Sequence, residues 1–290
     1  MILYVVILIK NAQNYTFRAN LLILPQTFFD NECHTAHNCK ESMLKILINP
    51  DYGYMRPFVE NIGAAFSGGV LLQKGHRNTL RTFTVHGTEF VVKQFGKPNL
   101  FNRIVYSLIR KPKGLRAYEY AFRIQAAGFD TPTPVAYVEK RHMGLIGHSY
   151  FISTRSPYGR RFYEFGDADP EKCRTIVQAF ARYAAAMHEA GILHRDFSPG
   201  NILFEENAGG CRFSIVDINR MRFGRVSVER GCRNFARLWG QIGFFRILAD
   251  EYAAARHADP EHCFDVMRKA RAKFWKRFSK RHKVKYRLEL

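Results

Sequence analysis

The chain of 290 residues is short of acid: 25 Asp and Glu stand against 45 Lys and Arg, a formal charge of +20. Such a surplus argues against a cationic partner and calls for an anionic one, whether nucleic acid, a phosphorylated substrate or an anionic lipid surface. Cysteine is sparse as well. Six residues, scattered through a chain of this length, give no disulfide framework and suggest reduced thiols in a cytosolic protein. No apolar run is long enough to cross a bilayer. The opening "MILYVVILI" looks like the core of a signal peptide, but it has no basic residue before it and no clear small-residue cleavage site, so it is weak support for export. Internal repeats are absent. What is plentiful is apolar content, 47% of the chain, enough for one large or two small cores.

Residues 1–42 differ from the rest in having no lasting periodicity, and they read as an N-terminal extension outside the core. Within them "CHTAHNC" gathers Cys33, His34, His37 and Cys39. Four such side chains could bind zinc, but the spacing matches no common finger, and a short cluster in a tail is usually incidental. Met43 opens "MLKILINPDYGYMRPF", which reads as the start of a domain.

From Gly69 the pattern is strand-like. "GVLLQ", "TLRTFTV" and "EFVVKQF" are short runs separated by Lys74–Asn78 and by His86-Gly87-Thr88, a β-meander with tight polar turns. "NLFNRIVYSLIRK" is amphipathic and basic; "GLRAYEYAFRIQAAG" predicts a helix capped at Gly128; "PVAYVEK" and "HSYFIST" return to strand. After Ser156 the chain turns mainly helical. Ile176, Val177, Phe180, Ala184 and Met187 mark one helical face, with Asp169-Pro170 as the expected cap and first turn. The fold class is therefore α+β, with a sheet-rich part at 43–155 and a helix-rich part at 156–290, which suggests two lobes.

"GILHRDFSPGNILFEE" places Asp196 and Asn201 on a loop between that helix and a short buried strand, where polar groups can face a cleft. Lys93 precedes them in the third strand, Glu119 sits mid-helix, and Asp217 follows in "FSIVDIN". These groups suit a nucleoside triphosphate. A strand lysine can bind phosphate oxygens and a helix glutamate can hold that lysine. An aspartate and an asparagine can ligate magnesium, while the remaining aspartate accepts a hydroxyl proton.

The order resembles the protein-kinase-like fold, with its strand lysine, helix glutamate, H-R-D-x-x-x-x-N loop and metal aspartate. "HRDFSPGN" fits that loop fully. Two motifs depart from it: "LQKGHRNTL" has Gly75 alone where G-x-G-x-x-G is usual, leaving Arg77 and Asn78 to replace backbone contacts, and "DIN" stands in place of D-F-G. Ser198 occupies the position where protein kinases usually carry lysine, there is no A-P-E, and the short stretch after Asp217 leaves little room for a peptide substrate. Across residues 43–290 the chain looks most like the lipopolysaccharide kinase (Kdo/WaaP) family, on "KPNLFNRIVYSLIRKPKGLRAYEYAFRIQAAGFDTPTPVAYVE" and "ILHRDFSPGNILF".

That resemblance implies a small β-rich N-lobe and a mainly helical C-lobe. It also implies ATP and Mg2+, and as substrate a Kdo or heptose of the lipopolysaccharide core or a lipid A-linked precursor. Lys93 would bind the α- and β-phosphates and pair with Glu119. Asp196 would act as the catalytic base, and Asn201 and Asp217 would hold magnesium. His194 and Arg195 would brace the loop, and the backbone near Ile152–Arg155 would meet adenine. No nucleic-acid partner is expected. The expected place of work is the cytoplasmic face of the inner membrane, bound peripherally. "MRKARAKFWKRFSKRHKVKYR" interleaves cations with Phe274, Trp275 and Phe278, and Met267, Ala270, Phe274 and Phe278 share a helical face. That face suits an interfacial helix and equally a last helix of the core. The alternatives are an atypical protein Ser/Thr kinase and a pseudokinase or anion-binding scaffold.

Overall fold

The computed structural model describes residues 42–75, 78–284, 286, 288 and 289; residues 33–39 with their His/Cys cluster, and Arg77, lie outside them. Six strands form one antiparallel sheet: β1 (Ser42–Ile48), β2 (Val70–Lys74), β3 (Asn78–Val85), β4 (Thr88–Phe95), β5 (Pro134–His142) and β6 (Leu145–Thr154), in the order β1-β5-β6-β4-β3-β2. The meander expected from three short runs is β2-β3-β4. Its second turn is the two residues His86 and Gly87, both at positive φ, the backbone that lets a two-residue loop follow the twist of its strands.

β1, for which the residue pattern carries no strand signal, closes the far edge beside β5. Its exit is fixed by Asn49, whose backbone N–H donates to Val135 O at 2.8 Å and whose Nδ2 donates to Pro134 O at 2.9 Å. A 3-10 turn, Pro50–Met55, then leads into α1 (Arg56–Ala65). Val59 and Ile62 of α1 pack with Met55 and Phe66 against Phe90, Val92, Val138 and Ile152, covering one face of the sheet. Alternation along β4 sends Phe90 and Val92 to that face, and so sends Lys93 to the other.

On that other face lies α3 (Lys113–Ala126), reached through α2 (Leu100–Leu108), a helix with no buried residue. Leu115 and Tyr118 of α3 pack on Tyr137, with Leu47 and Phe151 beside them. The helix ends as expected at Gly128, whose φ is +83°. Gly128 N–H bonds to Gln125 O at 2.9 Å and Phe129 N–H to Ile124 O at 3.1 Å, the paired bonds of a glycine-terminated helix.

Ala121 and Ile124, on the far side of α3, join a second and larger core. It is built by β7 (Arg160–Arg161), α4 (Arg174–Glu189), β8 (Ile192–Leu193), β9 (Ile202–Asn207), β10 (Gly210–Ile215), β11 (Arg222–Phe223), α5 (Val228–Asn234), α6 (Ile242–Ala255) and α7 (Pro260–Phe278). The strands make two small antiparallel sheets, β10-β9-β7 and β11-β8. Ile176, Val177, Phe180, Ala184 and Met187 form the buried face of α4, as the periodicity predicts. Its start is corrected: the helix begins at Arg174, and the Asp169 carboxylate instead accepts the Glu171 N–H at 3.0 Å, capping a preceding turn.

A second correction concerns α7. Its buried line is Cys263, Met267, Arg271 and Trp275, a set spaced four apart, rather than the stripe through Ala270, Phe274 and Phe278. Trp275 packs on Trp239 in the interior, so it is not available to a membrane surface. The protein is thus a mixed helix-and-sheet fold with an antiparallel main sheet, and its four described cysteines are free thiols.

Candidate active site

The segment after α4 explains its own sequence. Pro199 opens a 3-10 turn, Pro199–Asn201, at the position where a missing N–H costs nothing. Gly200 lets the Tyr163 ring approach: a Cβ there would stand 2.7 Å from the Tyr163 hydroxyl and would have to displace it. Asn201 Nδ2 donates to Asp196 O at 2.8 Å, and Ser198 N–H donates to the same carbonyl at 2.8 Å. Asp196 and Asn201 are spaced five apart because the amide of one closes the loop begun by the other.

His194 is wholly buried, and burial pushes its pKa down. Its Nδ1 accepts the Asp196 N–H at 3.1 Å, so the proton sits on Nε2, which donates to Val216 O at 2.9 Å. Val216 N–H in turn donates to Asn201 O at 3.0 Å. Two bonds therefore strap the loop to Val216, the residue that precedes Asp217, and the third fixes the His194 ring within the loop.

Asp217 takes a left-handed backbone, φ +57° and ψ +43°, at the head of the 3-10 turn Ile218–Arg220. Aspartate is one of the few side chains that tolerate it. Its carboxylate meets the Lys93 ammonium and the Asn219 amide. Burial alone would raise the pKa of Asp217, but the charge and hydrogen bond of Lys93 outweigh it and hold the carboxyl below its ordinary value. The Asp196 carboxylate faces Arg237 at 2.6 Å and Arg220 at 3.7 Å.

Lys93, Asp196, Asn201 and Asp217 are thereby gathered at one place, joined directly or through Val216. Glu119 is a correction. Its carboxylate takes the Lys111 ammonium at 2.8 and 2.9 Å, while Lys93 is committed to Asp217, so the expected Lys93–Glu119 pair is not formed. Arg195 is another: it is exposed and makes no described bond that could brace the loop. Gly75 N–H closes the β2–β3 hairpin on Asn78 O at 2.9 Å. Asn78 pairs with Phe95 as Leu80 pairs with Lys93, which puts Asn78 on the lysine's face of the sheet. Near the expected adenine contact, the N–H groups of Thr154 and Arg155 already donate to Thr133 O and Glu89 O.

Sequence reasoning missed the residues that hold the loop from behind. Asn234 Nδ2 donates to His194 O at 2.9 Å, and its Oδ1 meets His188 Nε2 at 3.2 Å. His188 Nδ1 lies 2.9 Å from the Tyr252 hydroxyl, which accepts from Arg256 at 2.8 Å. Since Tyr252 must then donate to Nδ1, His188 is neutral with its proton toward Asn234. Burial pushes its pKa down to about 4. These partners come from α4, α5 and α6, too far apart in sequence to leave a local signal. Arg220 and Arg237 were missed for the same reason, although Arg220 lies three residues from Asp217.

Among the described residues no group of three or more His, Cys, Asp or Glu could hold a metal. The oxygens that suit a hard cation are the Asp217 carboxylate and the Asn201 side-chain carbonyl, left free because the amide of Asn201 donates inward. No described helix is long and apolar enough to cross a membrane.

Residues 100–241 match the sequence model of the lipopolysaccharide kinase (Kdo/WaaP) family. Over 179 residues the chain is 25% identical to the lipopolysaccharide core heptose(I) kinase WaaP of Pseudomonas aeruginosa, a match over 57% of this chain and 66% of that one. The chain thus spans a little under two thirds of that relative. Among solved structures, WaaP in complex with acyl carrier protein superposes with a TM-score of 0.56 at 17% identity, over 82% of this chain and all of that one. That likeness is one of fold. The resemblance expected from the sequence is borne out.

Proposed function

With residues 100–241 matching the lipopolysaccharide kinase (Kdo/WaaP) family, we propose that the chain is an ATP-dependent kinase that phosphorylates a sugar hydroxyl of the lipopolysaccharide core. The observation that carries this reading is the gathering of Lys93, Asp217, Asn201 and Asp196 on one strapped loop and the strand facing it. The sheet and the helical region then act as the two lobes of a kinase-like fold. Lys93 binds phosphate oxygens of the nucleotide. Asp196, fixed by Arg237, accepts the proton of the attacking hydroxyl and orients that oxygen toward the γ-phosphate. Asn201 and Asp217 would hold magnesium, which neutralises charge on the phosphates when bound.

The atypical protein kinase reading is disfavoured because only residues 218–227 lie between Asp217 and α5, too few for a peptide-binding platform. The scaffold reading is disfavoured by the satisfied, strapped loop. Incubation of the full chain with labelled ATP and a panel of core oligosaccharides, lipid A precursors and generic proteins tests the three. A heptose acceptor, the one named for the relative, is expected to be labelled. Label on protein alone, or none, rejects the proposal.

We further propose peripheral binding to an anionic inner-membrane face and independence of the core from residues 1–42. Support for the first is the surplus of cations and the groove of about 440 Å³ where Lys269, Lys273 and Arg277 surround Ala270 and Phe274. Each cation near such a surface contributes about 1 kcal/mol. Failure to sediment with anionic vesicles at low salt would reject it. A chain starting at Met43 that lost activity would reject the second.

A further inference from the structure

Beside the catalytic cluster lies a cavity of about 1290 Å³, enclosed by the loop after β4, α2, the first turns of α3, the start of β6 and the loops that carry Arg195, Arg220 and Arg237. Neither Lys93, Asp196, Asn201 nor Asp217 lines it. Arg220 and Arg237 do, so the two residues that hold the Asp196 carboxylate on one side form the cavity wall on the other. The two spaces share a wall.

Its charge is one-sided. Nine of the lining side chains are Lys or Arg and none is Asp or Glu. Lys97, Arg110, Arg116, Arg195 and Arg222 have no carboxylate within ion-pair distance among the described residues. A solvated basic surface would look similar at four of them, but not at Arg116. Arg116 is 9% exposed and its buried Nε has no hydrogen-bond partner. Burial first, then the like charge of Arg110, push its guanidinium below the ordinary value, opposed in part by a hydrogen bond with the Tyr120 hydroxyl. A buried cation facing other cations is a costly arrangement unless an anion completes it. Planar guanidinium forks favour carboxylate and phosphate oxygens above other anions. α3 also begins beside this space, with Pro112 at its N-cap making no side-chain cap bond.

We propose that this cavity binds a carboxylate or phosphate substituent of the acceptor sugar, a second anion site beside the one for the transferred phosphate. The kinase reading above enters only in naming the molecule that carries the anion. The site accounts for specificity: an acceptor held by a charged substituent presents one hydroxyl to Asp196 across the shared wall, and a neutral sugar is held less tightly.

Two measurements on the full chain decide it. The first uses inorganic phosphate at constant ionic strength and reads the thermal midpoint of wild type, Lys93→Ala, Arg110→Gln and Arg222→Gln. Arg110 and Arg222 are exposed at the rim, so these changes leave the fold intact. A midpoint that rises with phosphate in wild type and Lys93→Ala, and rises by less than half as much in the two arginine variants, is expected. No rise in wild type, or a rise lost only in Lys93→Ala, overturns the proposal. The second compares a core oligosaccharide bearing its acidic groups with one whose phosphates are removed and carboxylates esterified. Arg222→Gln is expected to raise KM for the acidic acceptor about tenfold, leaving KM for ATP and kcat on the neutral acceptor unchanged. Equal loss on both acceptors, or a shift confined to KM for ATP, overturns it. If wild type phosphorylates neither sugar, the kinase reading fails while the phosphate titration still decides the cavity.

Discussion

The helical region and the main sheet hold their functional groups in different ways. In the helical region each group is fixed from several sides: His194 by Val216 and the Asp196 N–H, Asn201 by Asp196 O, and His194 O by Asn234, with His188 and Tyr252 behind. From the sheet comes one side chain, Lys93, whose described partner is Asp217, across in the helical region. The helical side is held by bonds within itself; the sheet side is tethered by an ion pair for which, under the proposed function, nucleotide phosphate would compete. That division suits phosphoryl transfer, where the base and the acceptor must be placed closely while the nucleotide enters and leaves.

The strongest test of the helical side is Asp196→Asn. Asparagine can still accept from Arg237, so the fold should hold while transfer falls roughly 10²–10⁴-fold. Steady-state labelling checks the rate and a thermal melt checks the fold. A rate within a few-fold of wild type would remove Asp196 from the chemistry and the comparison with it.

His188 sharpens the same side through pH. Its folded pKa is about 4 against an ordinary 6.5, so between those values the unfolded chain binds a proton that the folded chain refuses. The stability due to neutral His188 is complete above about pH 6.5 and is lost as pH falls toward about 4. The loss amounts to about 3 kcal/mol. Denaturant unfolding at pH 7 and pH 4.5 should show that fall in wild type and a shallower one in His188→Gln. Equal slopes would mean that the imidazole is not buried neutral behind the loop.

The tether is broken by Lys93→Met. Losing one charged contact to phosphate should lower kcat/KM by about 10- to 100-fold. It also frees Asp217, whose depressed pKa now supplies stability that persists above the ordinary carboxylate value and fades as pH falls through the folded one. In Lys93→Met that acid-limb contribution should shrink, and an acid titration of stability reads it. Retention of the acid limb in full would place the partner of Asp217 elsewhere.

The same contrast governs how much could be read from the chain. The loop with Asp196 and Asn201, the meander with Lys93 and the face of α4 all rest on contacts within a few residues, and local pattern revealed them. β1 was not legible because it is an edge strand whose pairing partner lies near Tyr137 and whose apolar residues do not alternate strictly. The bracing by Asn234 and His188, and the arginine wall on Asp196, depend on elements that meet only in the folded chain. On α7, helical periodicity showed that a stripe exists but not which one is buried. Trp275 and Arg271 are inside because Trp239 and Gly240 O receive them, and no spacing within α7 encodes that.

The smallest expected effect falls on Glu119, and it bears on whether the tether is as loose as described. Glu119 is paired with Lys111, with side chains 34% and 61% exposed. Exposed pairs of this kind contribute about 0.2–1 kcal/mol, so Glu119→Gln should shift stability by no more than that. Because Lys93 is held by Asp217 instead, transfer should stay within a few-fold of wild type. The informative comparison is the double variant Glu119→Gln, Lys111→Gln against each single one. If Glu119 serves only Lys111, the two changes are non-additive in stability and silent in rate. A tenfold or larger loss in kcat from Glu119→Gln alone, with an unchanged melt, would mean that the glutamate leaves Lys111 for Lys93 once nucleotide displaces Asp217. The sheet side would then be switched between two defined pairings rather than loosely tethered.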